Sequence, residues 1–214
     1  MAWGGKREGA GRPKSSAMVS HLKRPRVGSK RPVKISLKLR STSPILRDPQ
    51  IYDVFEKACL RARRFGLRII HYALLDRKIL MICEFKKQES LEKSFKSLNT
   101  SLAIALKKRY LELHGEKHQG PVFLGRFHME LLSSADEVRL AIRDLYLSAT
   151  WEDKVEAAPD PYSSAALVTQ WSDVLREEFH ESFNRVTFSA DEKARAKRIT
   201  ALPQFWLTQS GWNS

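Results

Sequence analysis

The 214-residue sequence is short of cysteine, of long apolar runs and, near its start, of acidic residues. Two cysteines, Cys59 and Cys83, exclude a disulfide framework and a four-cysteine zinc site, and they suit a reducing compartment. No apolar run approaches the roughly 20 residues that cross a bilayer. The opening MAWGGKREGAGRPK lacks the apolar core of a secretory signal. A membrane partner is therefore not expected. Residues 1–40 contain a single acid, Glu8, against six Lys and six Arg, and so carry +11 of the formal net charge of +14. A basic arm on a nearly balanced body is the electrostatic footprint of a polyanion binder. The arm has no apolar helical face, which argues against a membrane surface and leaves nucleic acid as the expected partner.

What is present divides the chain into three. Residues 1–31, rich in Gly, Pro, Ser and basic side chains, read as a largely disordered arm. Within it, Arg12 and Lys14 of GRPK, and Arg24 and Arg26 of KRPR, sit in short extended Arg-Pro segments able to follow a phosphate backbone or a narrow minor groove. Residues 32–150 carry the periodicities of a folded domain, and residues 151–214 read as an extension packing on it, with Phe205, Trp206 and Trp212 near its end.

VKISLKLR alternates Val33, Ile35, Leu37 and Leu39 with Lys34, Ser36, Lys38 and Arg40, which predicts a strand with one wet, basic face. Asp48-Pro49 predicts the start of a helix carrying Ile51, Phe55, Ala58 and Ala62 on one stripe and ending at Gly66. Residues 67–75 and 79–85 read as a hairpin of strands. Leu91, Phe95, Leu98, Leu102, Leu106, Tyr110 and Leu113 predict a long helix ending near Gly115. Residues 121–132 read as a fourth strand. Ser134 and Glu137 then suit a capping box before a helix with Val138, Ile142, Leu145 and Ala149 inward. The expected class is α+β: a ferredoxin-like β-α-β-β-α-β antiparallel sheet with an extra C-terminal helix.

GGKREGAGRPK, PVKISLKLR, FGLRIIHYALLDRKILMICEF, GPVFLGRFHMELLSSADEVRLAIRDLYL, DPYSSA followed by Trp171, and FWLTQSGW occur in an order that resembles the HUH single-strand DNA transposases with one tyrosine. The REP-associated tyrosine transposases of bacteria are the nearest group in that resemblance, which implies the bacterial cytoplasm, at the nucleoid, as the setting. Such enzymes hold Mg²⁺ or Mn²⁺ with a His-apolar-His triplet on a central strand, where residues i and i+2 share a face. A tyrosine on a helix attacks the scissile phosphate. Set on this sequence, the two histidine positions fall on Lys78 and Leu80, and the tyrosine position on Asp144. An ammonium repels a cation, and a leucine has no donor atom. Tyr146 stands two residues from Asp144, about 160° away around a helix, a poor substitute nucleophile. A metal site rebuilt from His71, His128 and Asp144 is conceivable but disfavoured, because a single strand histidine is more often a hydrogen-bonded structural residue.

No catalytic residue is thus expected intact, and no metal or other cofactor is expected unless cutting persists, in which case Mg or Mn would be required. The expected ligand is DNA, single-stranded or hairpin, held without cleavage by Arg12, Lys14, Arg24, Arg26, Lys34, Lys38, Arg40, Lys78, Arg126 and His128. The alternative is an active transposase that cuts and joins single strands through a non-standard site. An RNA-binding sheet ranks lower, because strands one and three lack the aromatics that stack bases. Oligomeric state is left open.

Overall fold

The structure is a computed structural model and describes residues 31–152, 160–167 and 188–204. The arm residues Arg12, Lys14, Arg24 and Arg26, and the aromatics Phe205, Trp206 and Trp212, lie outside the described residues. The elements follow as β1 (Val33–Lys38), α1 (Pro49–Arg63), β2 (Arg68–Leu74), β3 (Lys78–Glu84), α2 (Gln88–His114), β4 (His128–Leu131), α3 (Ala135–Glu152) and α4 (Ala190–Ile199), with a 3₁₀ turn at Ser164–Leu167. No helix among the described residues is long and apolar enough to cross a membrane.

The strands form one sheet in the order β2-β3-β1-β4, every neighbouring pair antiparallel. Alternation along β1 sorts its two faces. Val33, Ile35 and Leu37 stand opposite Cys83, Met81 and Ile79, and all six are buried in the larger core under α1 and α2. Lys34, Ser36 and Lys38 point to the other face, opposite Ile82, Leu80 and Lys78. On that second face α3 packs against β2 and β3. Ala141, Ile142, Leu145 and Tyr146 join Ala73, Leu80 and Ile82 in a second core. Strand β3 is therefore apolar on both sides between its charged ends, the buried Glu84, paired with Arg68, and Lys78, which is not among the residues of this second core.

Local chemistry accounts for the helix ends. The Asp48 side chain accepts from the N–H groups of Gln50 and Ile51 at 2.9 and 3.3 Å, and Pro49 opens α1 as expected. Helix α2 buries Leu91, Phe95, Leu98, Leu102 and Leu106 and ends at Gly115, whose φ of 72° is left-handed. Its stripe stops earlier than the sequence suggests, because Leu113 is 54% exposed in the last turn. At α3 the Glu137 N–H donates to Ser134 Oγ at 3.2 Å, while the Glu137 carboxylate accepts from the N–H of Ser133.

The fourth strand departs from the expectation of one run over residues 121–132. Regular pairing covers only His128–Leu131. Ser36 pairs with His128, but Leu39 bridges to Phe123, so two extra residues stand on the β4 side. Gly125, with φ of 133°, lies inside this bulge, in a conformation that a side chain would oppose.

The described parts of the extension contact the domain through the 160–167 segment and through α4 and the residues after it. The Leu74 N–H donates to the Tyr162 carbonyl, and Ser163 bridges Ala73 at the outer edge of β2. Ile199 of α4 joins the larger core, and Arg63 Nη2 donates to the carbonyls of Arg198, Ile199 and Thr200 at its end. Arg47 forms a two-pronged ion pair with Asp160, one prong at 2.9 Å, which fixes the start of the 160–167 segment. Cys59 and Cys83 are both buried free thiols.

Candidate nucleic-acid interface

Helix α3 covers β2 and β3 and leaves a cleft of about 470 Å³ beside it on the same face. The cleft is lined by Lys34, Ser36 and Lys38 of β1, by Lys78 and Leu80 of β3, by His128 and Glu130 of β4, and by Leu124 and Arg126 of the bulge before β4. Four cations, a histidine and one carboxylate thus share one concavity.

Sheet register places the cations. Lys38 stands directly across from Lys78, both on the cleft face. Like charges directly opposite on adjacent strands are destabilising, and an anion between them adds two attractions that offset the repulsion. The bulge carries Arg126, which is exposed, to the same opening, together with Leu124, 62% exposed. His128 is exposed and faces the cleft from β4. Arg40, also expected at the interface, is exposed but lies outside the cleft lining. Of the expected cations that fall within the described residues, Lys34, Lys38, Lys78 and Arg126 converge, with His128, and Arg40 does not.

The opposite end of the cleft is neutralised. Lys34 Nζ lies 2.7 Å from Asp144 Oδ2 of α3, and Glu130 stands directly across from Lys34 on β4. Asp144 is therefore a paired acid at the rim, its side chain 46% exposed.

Tyr146 is elsewhere. It is 2% exposed, and its hydroxyl bonds His71 Nδ1 at 2.8 Å and Ser164 Oγ at 3.0 Å. Burial pushes its phenol well above the ordinary value, opposed in part by the Ser164 hydrogen bond, which makes the phenolate nucleophile harder to form. Ser164 Oγ in turn accepts from the Tyr72 N–H at 2.9 Å. Tyr146, His71 and Ser164 thus form a structural network that ties α3 to β2 and to the extension. His71, held in that network, has its pKa lowered to about 4 by burial.

The divalent ion that the sequence resemblance implies does not fit these residues. Lys78 brings a positive charge to the first ligand position, and Leu80, 2% exposed, belongs to the core under α3. The Asp144 carboxylate is bound to Lys34, and the His71 Nδ1 to Tyr146. His71, His128 and Asp144 do not converge, and among the described residues no cluster of three His, Cys, Asp or Glu side chains could hold a metal ion.

The sequence reading missed three cleft residues, Ser36, Leu124 and Glu130. Ser36 and Glu130 follow from period-two alternation once the strands are known. Leu124 reaches the cleft through the bulge, which the sequence signals only by Gly125.

No protein-family model matches the chain, and no curated protein matches it. Solved structures do. A REP-associated tyrosine transposase bound to a REP hairpin is similar at a TM-score of 0.49 and 15% identity, over 69% of this chain and 83% of that one. A Deinococcus radiodurans R1 protein described as a candidate transposase is similar at 0.39 and 14%, over 60% of this chain and 98% of that one. A bacterial tRNA(His) guanylyltransferase (Thg1)-like protein in complex with ATP is similar at 0.41 and 12%, over 59% of this chain and 61% of that one. At these values the likenesses bear on neither activity nor ligand.

Proposed function

We propose that this chain is a DNA-binding protein of the single-strand transposase lineage, which holds single-stranded or hairpin DNA in the basic cleft without cutting it. The observation that carries the reading is the cross-strand pair Lys38–Lys78, in one cleft with Lys34, Arg126 and His128. Cations held opposite one another on rigid strands are arranged for an anion, and a backbone phosphate supplies it. Lys78 stands where the resemblance places a metal ligand. There an ammonium can neutralise the phosphate oxygen that a metal would otherwise have polarised, so a phosphate can be held where catalysis has been lost. The exposed Leu124 supplies apolar surface against which a sugar or base edge can lie. The basic arm adds sequence-independent attraction.

Fluorescence anisotropy tests the reading on the full chain, using a DNA hairpin with a single-stranded flank and an unstructured single strand, each with and without Mg²⁺. The same mixtures are run on denaturing gels. Binding that Mg²⁺ leaves unchanged, with intact strands, is expected. Absence of binding removes the reading. Metal-dependent nicking that Tyr146→Phe abolishes would instead establish the cutting alternative.

A further inference from the structure

The cleft is not uniformly basic. Lys38, Lys78 and Arg126 gather toward the end of β1 and the start of β3, and Lys34, two pleats away on the same face, pairs with a carboxylate on α3. The Asp144 Oδ2 atom sits 2.7 Å from Lys34 Nζ, the distance at which a phosphate oxygen would sit. Glu130, directly across from Lys34, places a second carboxylate at the same end. A phosphate approaching Lys34 therefore meets an occupied ammonium and two like charges.

From this geometry we infer that Asp144 is an affinity-limiting residue, an internal competitor that occupies Lys34 in place of a backbone phosphate. The inference rests on the DNA-binding reading of the cleft and adds a regulator to it. Lys34 is on an inner strand of the sheet, with its side chain only 19% exposed, and is the less accessible partner of the pair. Asp144 is on the outer helix and 46% exposed, so the carboxylate is the partner that can leave. Two states follow. With Asp144 on Lys34, the cleft offers its cationic end alone. With Asp144 displaced, Lys34 extends the phosphate track toward α3 at the cost of the ion pair. A half-exposed pair of this kind contributes modestly, so the competition tunes affinity rather than blocking it.

A double-mutant cycle tests the inference with the full chain and an oligothymidylate probe, read by anisotropy across a salt series. Asp144→Asn keeps the shape of the side chain and frees Lys34. It is expected to tighten binding roughly two- to fivefold, the range set by a partly exposed ion pair. It should also steepen the log K against log salt slope by roughly 0.7, one further phosphate contact on a single strand. In a Lys34→Ala background the same substitution should gain clearly less, because the like-charge repulsion is relieved but no ammonium is left to release. Thermal melts of all four proteins confirm that the comparison is between folded chains. A gain that persists undiminished without Lys34 would show that Asp144 acts by general repulsion and would overturn the inference. So would wild-type binding that Asp144→Asn leaves unchanged, with the reading of the cleft still standing. Absence of wild-type binding would remove both.

Discussion

At the scale of single residues, the most telling contrast is between Asp144 and Tyr146. They are two positions apart on α3, yet one reaches Lys34 at the rim of the cleft and the other is buried against β2. Helical geometry made that divergence legible in the sequence, since two steps carry a side chain to nearly the opposite side of the helix. What the sequence could not show is the partner of each. Ser164 comes from a segment outside the sheet, and nothing in DPYSSA announces a hydrogen bond to a helix eighteen residues earlier. The same network supplies a pH prediction. Burial holds the pKa of His71 at about 4 in the folded chain, below the roughly 6.5 of an unfolded one. As pH falls through that interval the unfolded state takes up a proton and the native state does not. Stability contributed by neutral His71 is therefore complete above about pH 6.5, declines toward pH 4 and levels off below it. The full loss is on the order of 3 kcal/mol. Urea midpoints measured over this pH range should fall less steeply for His71→Gln than for the wild type; parallel profiles would show that His71 is not held neutral.

At the scale of elements, periodicity marked β1, α1 and most of α2, because each buries a face at a fixed repeat, whereas β3, buried on both faces, showed as a short apolar run. The β4 region was less legible. Its apolar residues suggested a continuous strand, whereas two extra residues in the bulge at Gly125 redirect the chain and carry Leu124 and Arg126 to the cleft. A bulge is set by pairing with the neighbouring strand, which one segment alone does not reveal. The extension was readable only as a segment packing on the domain, without its contacts. In the structure Asp160, 3% exposed, holds Arg47 while Arg47 also donates to the Leu74 carbonyl and lies over the Tyr162 ring. One acid thereby connects the entry to α1, the end of β2 and the extension. Asp160→Ala removes the two-pronged carboxylate from a largely buried Arg47 and leaves only the longer contact to the half-exposed Asp76 at 3.9 Å. It should cost about 3–5 kcal/mol in denaturant unfolding. A loss under 1 kcal/mol, the size expected for an exposed pair, would mean that the clamp contributes little.

At the scale of the whole molecule, charge and shape divide the work. The first 40 residues carry most of the net charge and supply attraction that any polyanion can satisfy. The folded domain supplies a fixed cleft in which Lys38 and Lys78 are forced together by the register of two central strands. The sequence made the charge plain at once and set Lys78 at a metal-ligand position of the resemblance; only the strand register showed that Lys38 faces it. The central claim is that this register-enforced pair holds a DNA phosphate. Its most direct test is the salt dependence of binding by the full chain to a DNA hairpin with a single-stranded flank, compared between wild type and Lys78→Ala. Loss of one phosphate contact predicts weaker binding at every salt concentration and a log K against log salt slope shallower by roughly 0.7–1. The arm is present in both proteins and contributes equally to each. Identical affinities and identical slopes would contradict the claim.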